Sequence, residues 1–136
     1  MGVTTAPSII SIGHTPDLDD AFMFYAWAAG KTGLDGYGIH HVIEDIQTLN
    51  TRALRAELDV TAVSVAAYPL LAGEYWILAV GSSVGQDYGP LVVSTKPYGV
   101  DELRGVRIAI PCLHTTAALA LQLAVPDCVP VEMRFE

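Results

Sequence analysis

Two short segments of the chain combine side chains that could bind or react with a small molecule. The first runs from His14 to Asp20, directly after the apolar residues 9–13, and also contains Asp17 and Asp19. An imidazole can donate to a substrate carboxylate or carbonyl, and a carboxylate can act as acid or base or bind a hydroxyl. For His14 alone we favour a hydrogen bond to a local carbonyl, and for Asp19 or Asp20 we favour helix capping.

The second segment follows the apolar residues 108–110 and contains His114, Thr115 and Thr116 before an apolar stretch at 117–124. Threonine hydroxyls and the first free N–H groups of a helix can hold an anionic group. The structural alternative is an ordinary N-cap on one of the two threonines. For this histidine, as for the first, we favour a loop residue bonded to local carbonyls.

The remaining reactive groups form no recognisable catalytic or metal pattern. Ser64 has no histidine nearby and no Gly-x-Ser-x-Gly surroundings, so a nucleophilic triad is not indicated. His40 and His41 are neighbours in a predicted strand and must point to opposite faces, which prevents them from binding one metal ion together. Cys112 and Cys128 lack metal-like spacing, so we predict reduced thiols in an intracellular setting and no metal site at the cysteines.

The elements that would position these segments alternate along the chain. Strands are predicted at residues 9–13, 39–43, 59–65, 75–80, 106–110 and 129–135. Helices are predicted between the carboxylates of the first segment and Gly30, at 44–56 and at 117–124, with helical turns at 66–71 and 101–105. This order predicts an α/β fold, in which small ligands collect where strands end and helices begin.

Composition limits the possible partners. The chain has 136 residues, 51% of them hydrophobic, and a formal net charge of −8. That charge repels phosphate backbones and anionic lipids, so we predict no nucleic acid and no membrane as partner, while a small anion remains possible. We find no signal-peptide pattern and expect a cytoplasmic protein. The last predicted strand has no element to cover it, so we also expect the front portion of a longer protein.

Several phrases of the sequence occur in the same order in a known family. The chain resembles the 1,4-dihydroxy-6-naphthoate synthases of the futalosine route to menaquinone. The matching segments cover nearly the whole chain and are residues 13–25, residues 42–50, residues 60–64 with Ala67 and Tyr68, residues 88–93, and residues 114–117.

The resemblance implies a two-lobed fold similar to type II periplasmic solute-binding proteins, incomplete in this chain. Residues 1–91 would form most of the first α/β lobe, and residues 92–136 the crossover and the start of the second. It further implies a cytoplasmic carbon–carbon lyase that converts cyclic dehypoxanthine futalosine to the naphthoate and a three-carbon fragment without a cofactor. The substrate would be small, anionic and aromatic, and would lie between the lobes.

On the family pattern, the substrate-contacting positions are Ala62, Val63, Ser64, Thr115, Thr116 and Ala117. The family's general base is a histidine that follows the strand corresponding to 131–135, so no catalytic residue is assigned here and we expect the isolated chain to be inactive. Another branch of the family has a Cys-Pro-Asn-Asp phrase where this chain has residues 15–20, and a lysine at the position of Ala62. The alternative is a solute-binding protein that binds a small anion without turnover, and a third is an interaction role through an exposed strand edge. The sequence predicts no oligomeric state.

Overall fold

The computed structural model describes residues 8–134 and contains two parallel sheets. The strands are β1 (Ser8–His14), β2 (Tyr37–Ile43), β3 (Val60–Thr61), β4 (Arg107–Ile110) and β5 (Val129–Glu132). The helices are α1 (Leu18–Ala28), α2 (Ile46–Ala53), α3 (Tyr68–Leu71) and α4 (Thr116–Ala124), with 3-10 turns at Val65–Ala67 and Val100–Leu103.

The first sheet has the strand order β2-β1-β3, and a helix lies on each of its faces. On one face, His14 of β1 stacks on Phe24 of α1. Because successive strand residues point to opposite faces, Gly13 faces the other way. A Cβ on Gly13 would come within 2.7 Å of Leu58 and 2.8 Å of Leu49 in α2. The glycine therefore permits close packing of α2 against β1.

Helix α1 is apolar on both sides. Phe24 and Trp27 are half-buried on the side near the sheet. On the outer side Leu18, Phe22 and Tyr25 are 88%, 86% and 54% exposed. These three residues lie at helical spacing and form an outward ridge, which we call the α1 ridge.

The second sheet is a single β4-α4-β5 unit. Its two strands pair in parallel, with Arg107 opposite Val129 and Ile110 opposite Glu132. Its core is a cluster separate from that of the first sheet and comprises Ile110, Ala118, Leu121, Val125 and Cys128. The core around α2 and α3 comprises Ala53, Ala67 and Leu71. The described part of the chain thus contains two small α/β cores.

The α/β class with parallel strands is confirmed, but one predicted strand is absent and two are shorter than predicted. Residues 75–80 form no strand; Trp76 is 94% and Ile77 70% exposed, because no described strand lies beside them to pair with. The strand predicted at 59–65 is only Val60–Thr61, since the chain turns away toward α2 and α3. The strand predicted at 129–135 ends at Glu132; Met133 and Arg134 are irregular, and position 135 lies outside the described residues.

The start of the first helix also differs from the prediction. The N-cap position is Asp17, with helical geometry from Leu18, rather than Asp19 or Asp20. Both of those carboxylates lie within the first turn, where negative charge is favoured by the helix dipole. Within residues 8–134, no helix is long and apolar enough to cross a membrane. The division at residue 91 stays a prediction.

Candidate functional site

The carboxyl end of β1 is bonded to both neighbouring strand ends. The backbone N–H of Ala62, just after β3, donates to the carbonyl of Gly13 at 2.8 Å. The N–H of Glu44, just after β2, donates to the carbonyl of His14 at 3.2 Å. Since parallel strands end at one edge of a sheet, the loops after all three strands lie side by side there. This edge is where ligands bind in open α/β sheets.

Ser64 is held at this edge by Asn50 of α2. The Asn50 carbonyl accepts from the Ser64 N–H at 2.9 Å, and the Asn50 amide donates to Ser64 Oγ at 3.1 Å. Asn50 itself has no exposed surface, whereas Ser64 is half-buried. Because Ser64 Oγ accepts from Asn50, its own hydroxyl hydrogen is free to be donated elsewhere. Sequence reasoning missed Asn50.

Thr115 and Thr116 have different roles at the start of α4. Thr115 is buried; its hydroxyl donates to the carbonyl of Cys112 at 2.8 Å and accepts from the N–H of Ala118 at 3.2 Å, so it is the N-cap. The Oγ1 of Thr116 accepts from the N–H of Ala66 at 3.3 Å. This bond brings the segment after Ser64 against the start of α4. Thr115 is therefore an ordinary N-cap, which is the structural alternative considered for one of the two threonines.

The other predicted contact residues, Ala62, Val63 and Ala117, differ in what their side chains contact. Ala62 and Ala117 are half-buried near these loops. Val63 packs against the α2–α3 core, which gives its side chain a structural role. The structure brings residues 64–66 and Thr116 together, and it packs the half-buried side chain of Val63 against the core around α2 and α3.

The loop between β1 and α1 is organised by Asp20. Its carboxylate accepts from the N–H of Thr15 at 2.6 Å and from the Thr15 hydroxyl at 2.9 Å. The same hydroxyl lies 3.1 Å from the carboxylate of Asp17. A side-chain hydrogen bond from Ser83 is the main cause that lowers the pKa of Asp19. Asp17 and Asp20 therefore hold the loop through Thr15, and the capping role predicted for Asp19 or Asp20 is wrong.

His14 and His41 form a pair beneath α1. His14 Nε2 lies 3.0 Å from His41 Nδ1, and His14 Nδ1 lies 3.1 Å from the carbonyl oxygen of Thr15. The ring of Phe24 stacks on His14 with centroids 4.6 Å apart. Burial, followed by repulsion from His14 and His40, lowers the pKa of His41. His40 is exposed, as expected for the opposite face of β2.

A cleft of about 550 Å³ lies between α2 and the end of β5. Sequence reasoning did not single out its residues. Asp45 caps α2 there, and the Thr48 hydroxyl that donates to it is the first cause lowering the Asp45 pKa. Arg52 is paired with Glu44 at 3.0 Å and with Glu57 at 3.0 Å. The lining residues are Asp45, Gln47, Thr48, Thr51, Arg52, Arg55, Glu132, Met133 and Arg134. No cluster of three metal-binding side chains occurs among residues 8–134.

Parallel strands whose ends meet polar loops and capped helix starts define an open α/β protein, a class in which ligands commonly bind at that edge of the sheet. Comparison with known sequences shows the family: the chain belongs to the menaquinone-biosynthesis family, whose sequence model matches residues 10–136. It is 38% identical over 127 residues to a Thermus thermophilus protein named 1,4-dihydroxy-6-naphthoate synthase, covering 93% of this chain and 46% of that protein. A Streptomyces coelicolor protein of the same name is 34% identical over 122 residues, covering 89% and 42%.

A solved structure is similar as well. The crystal structure of an Archaeoglobus fulgidus protein superposes with a TM-score of 0.86 at 54% identity, covering 93% of this chain and 47% of that one. The chain thus spans about half the length of the relatives that it matches. The resemblance to the 1,4-dihydroxy-6-naphthoate synthases is confirmed, and the matches fit a chain that corresponds to the amino-terminal portion of such a protein.

Proposed function

We propose that this chain is the amino-terminal portion of a carbon–carbon lyase that converts cyclic dehypoxanthine futalosine to 1,4-dihydroxy-6-naphthoate. The family match and the names of the two curated relatives support a role in menaquinone biosynthesis. The observation that carries the site is the bond between Ala66 and Thr116, which brings the Ser64 loop against the start of α4. The two-lobed fold belongs to the same proposal, with residues 1–91 as most of the first lobe and residues 92–136 as the crossover and the start of the second, and so does the cytoplasmic location.

In this proposal, three hydrogen-bond donors bind the substrate where the Ser64 loop meets the start of α4. Thr115 satisfies the N–H of Ala118, so the preceding N–H groups of Thr116 and Ala117 remain as the unpaired donors of the first turn of α4. The hydroxyl of Ser64 supplies the third donor, because Asn50 occupies only its acceptor side. Such donors match a carboxylate of an anionic, aromatic substrate, and the helix dipole favours the same charge.

The donors position the substrate, and the proton-removing base is assigned to a segment of the whole enzyme outside these residues. Both ring nitrogens of His14 are already used by Thr15 and His41. His40 lies on the far face of the sheet. Orientation of the reacting atoms is then the contribution of this half, and proton transfer that of the other.

The test uses the full-length enzyme with cyclic dehypoxanthine futalosine, following naphthoate formation by liquid chromatography. Ser64→Ala and a Thr51→Ala control, which alters a hydroxyl bonded only within α2, are compared with the unaltered protein. A hydrogen bond to a charged group is worth about 1.5–3 kcal/mol, so S64A should raise KM about tenfold to a hundredfold, and T51A should not. Binding without product would instead identify a solute-binding protein, and unchanged S64A kinetics would remove Ser64 from the site.

A further inference from the structure

The segment of residues 76–98 has no backbone partner in the described part of the chain. Among residues 8–134, its N–H and C=O groups make no backbone-to-backbone hydrogen bond, and it forms no helix or strand. A connection of this length without secondary structure is uncommon in a compact domain. Water can bind such backbone groups where they are exposed, so the side chains decide whether the segment is an ordinary surface loop.

The side chains of this segment are those of covered strands. Residues 76–80 read Trp-Ile-Leu-Ala-Val, and residues 91–93 read Leu-Val-Val. Continuous apolar runs of this kind are typical of strands that are buried on both faces of a parallel sheet. Every large apolar side chain in the two runs is nevertheless more than half exposed, from Val92 at 51% to Trp76 at 94%. Both faces of these runs are therefore uncovered by residues 8–134.

The first sheet has a free edge that residues 76–80 do not use. Strand β3 is paired with β1 on one side only, so its other side is open among the described residues. The neighbouring Tyr75 comes close to this edge, since its hydroxyl donates to the carbonyl of Leu58 at 2.7 Å, just before β3. No backbone bond accompanies that contact. A strand that pairs with residues 76–80 must then come from outside residues 8–134.

We propose that residues 76–80 and 91–93 are the surface on which the carboxyl-terminal half of the whole enzyme docks, and that this half pairs a β-strand with residues 76–80. The inference rests on the part of the proposed function that makes this chain the amino-terminal portion of a longer enzyme. The chain spans 46% and 42% of the two curated relatives and 47% of the solved one. A second half of that length is sufficient to supply a strand and to cover both faces of the two runs.

A second copy of the chain is a poorer occupant of this surface. Two copies that each carry a formal charge of −8 repel one another at long range. Surfaces this apolar belong to permanent interfaces rather than to transient ones. A half that is joined to this one by the same polypeptide is always present at a high effective concentration, so its docking does not depend on the protein concentration.

The first test is NMR of the full-length protein, unaltered and labelled with nitrogen-15 and deuterium. Alternate or all amides of residues 76–80 should exchange at least about a hundredfold more slowly than in an unstructured chain. The same amides should give cross-strand nuclear Overhauser effects to residues beyond 136. Effects to residues 59–61 would indicate pairing with β3, and exchange at the unstructured rate would indicate no pairing. Protection that is lost on about tenfold dilution would indicate a second copy, and each of these three results would overturn the proposal.

The second test compares Leu78→Asp with Val84→Asp in the full-length protein by thermal unfolding. Both side chains are exposed among residues 8–134, so exposure alone predicts small and similar effects. Docking buries the new charge at position 78, so L78D should lower Tm by about 10 °C or more. Val84 lies between the two runs, and V84D should lower Tm by less than about 3 °C. If L78D lowers Tm no more than V84D, the surface is not covered and the proposal fails.

Neither test measures turnover, so the outcome for the docking surface is separate from the outcome for the proposed activity. A full-length protein that forms no naphthoate but protects residues 76–80 would remove the proposed reaction and retain the docking surface. A protein that forms naphthoate while residues 76–80 exchange freely would do the reverse.

Discussion

Replacing Asn50 with alanine removes the side chain that holds Ser64 at the end of β3. The Asn50 amide makes two hydrogen bonds to Ser64, at 2.9 and 3.1 Å, from a position with no exposed surface. Each bond contributes about 0.5–1.5 kcal/mol net, and a buried group left without its partner costs about 1–3 kcal/mol. We therefore expect Asn50→Ala to lower the free energy of unfolding by about 2–4 kcal/mol.

The assay is urea-induced unfolding followed by far-ultraviolet circular dichroism, with Thr51→Ala as the matched control. Thr51 is the next residue of the same helix, and its hydroxyl donates only to the carbonyl of Gln47 one turn earlier, at 2.9 Å. That bond duplicates one that the backbone already makes, so T51A should stay within about 0.5 kcal/mol of the unaltered protein. If N50A loses no more than T51A, the reasoning that Asn50 anchors Ser64 is refuted.

Three further outcomes follow from the packing and capping contacts. Gly13→Ala should lower the free energy of unfolding by about 1–3 kcal/mol, because the new Cβ would approach three side-chain atoms within 2.8 Å. Gly33→Ala, where the added Cβ would meet open space, is the control in thermal unfolding, and equal losses in the two variants would contradict the prediction. Asp45→Ala should lower the free energy of unfolding by about 0.5–2 kcal/mol near neutral pH, because the helix cap is lost. Since folding lowers the Asp45 pKa from 3.8, this loss is complete above that value and vanishes as pH falls through the folded pKa. Urea unfolding of both proteins at about pH 7 and pH 3 checks this, and an equal loss at the two pH values would contradict it. Thr116→Ala should leave α4 intact, since another residue caps it, but speed amide exchange at Ala66 about fivefold to tenfold, and unchanged exchange would show that their bond is not formed in solution.

The sequence was sufficient for elements whose local pattern and tertiary setting agree. Helix α2 follows its apolar spacing and acidic start, and β2 follows its apolar run. Residues 75–80 carry strand-forming side chains, yet a strand exists only where a neighbour offers hydrogen bonds, and local sequence does not specify that neighbour. The same limit shortened β3 to two residues.

The residues of the candidate site likewise divide into those that the sequence reveals and those that depend on tertiary contacts. Thr115 was recognisable because a cap needs only its own helix. Asn50 left a detectable signal, since it is a polar residue on the buried face of α2, beside Leu49 and Ala53. The contact of His14 with His41 depends on the register that sets Ile12 opposite His41, and no spacing along the chain reveals a register. The cleft beside Arg134 depends on how two separate cores are placed.

The α1 ridge has a consequence for handling the protein. Leu18 and Phe22 are more than four-fifths exposed and would promote self-association between copies. Mutual repulsion from a formal charge of −8 opposes this, and it disappears near the isoelectric point of about 4.7. Molar salt would shorten the range of that repulsion to about 3 Å. Dilute buffers near neutral pH should therefore keep preparations clear, and acid or concentrated salt should turn them turbid.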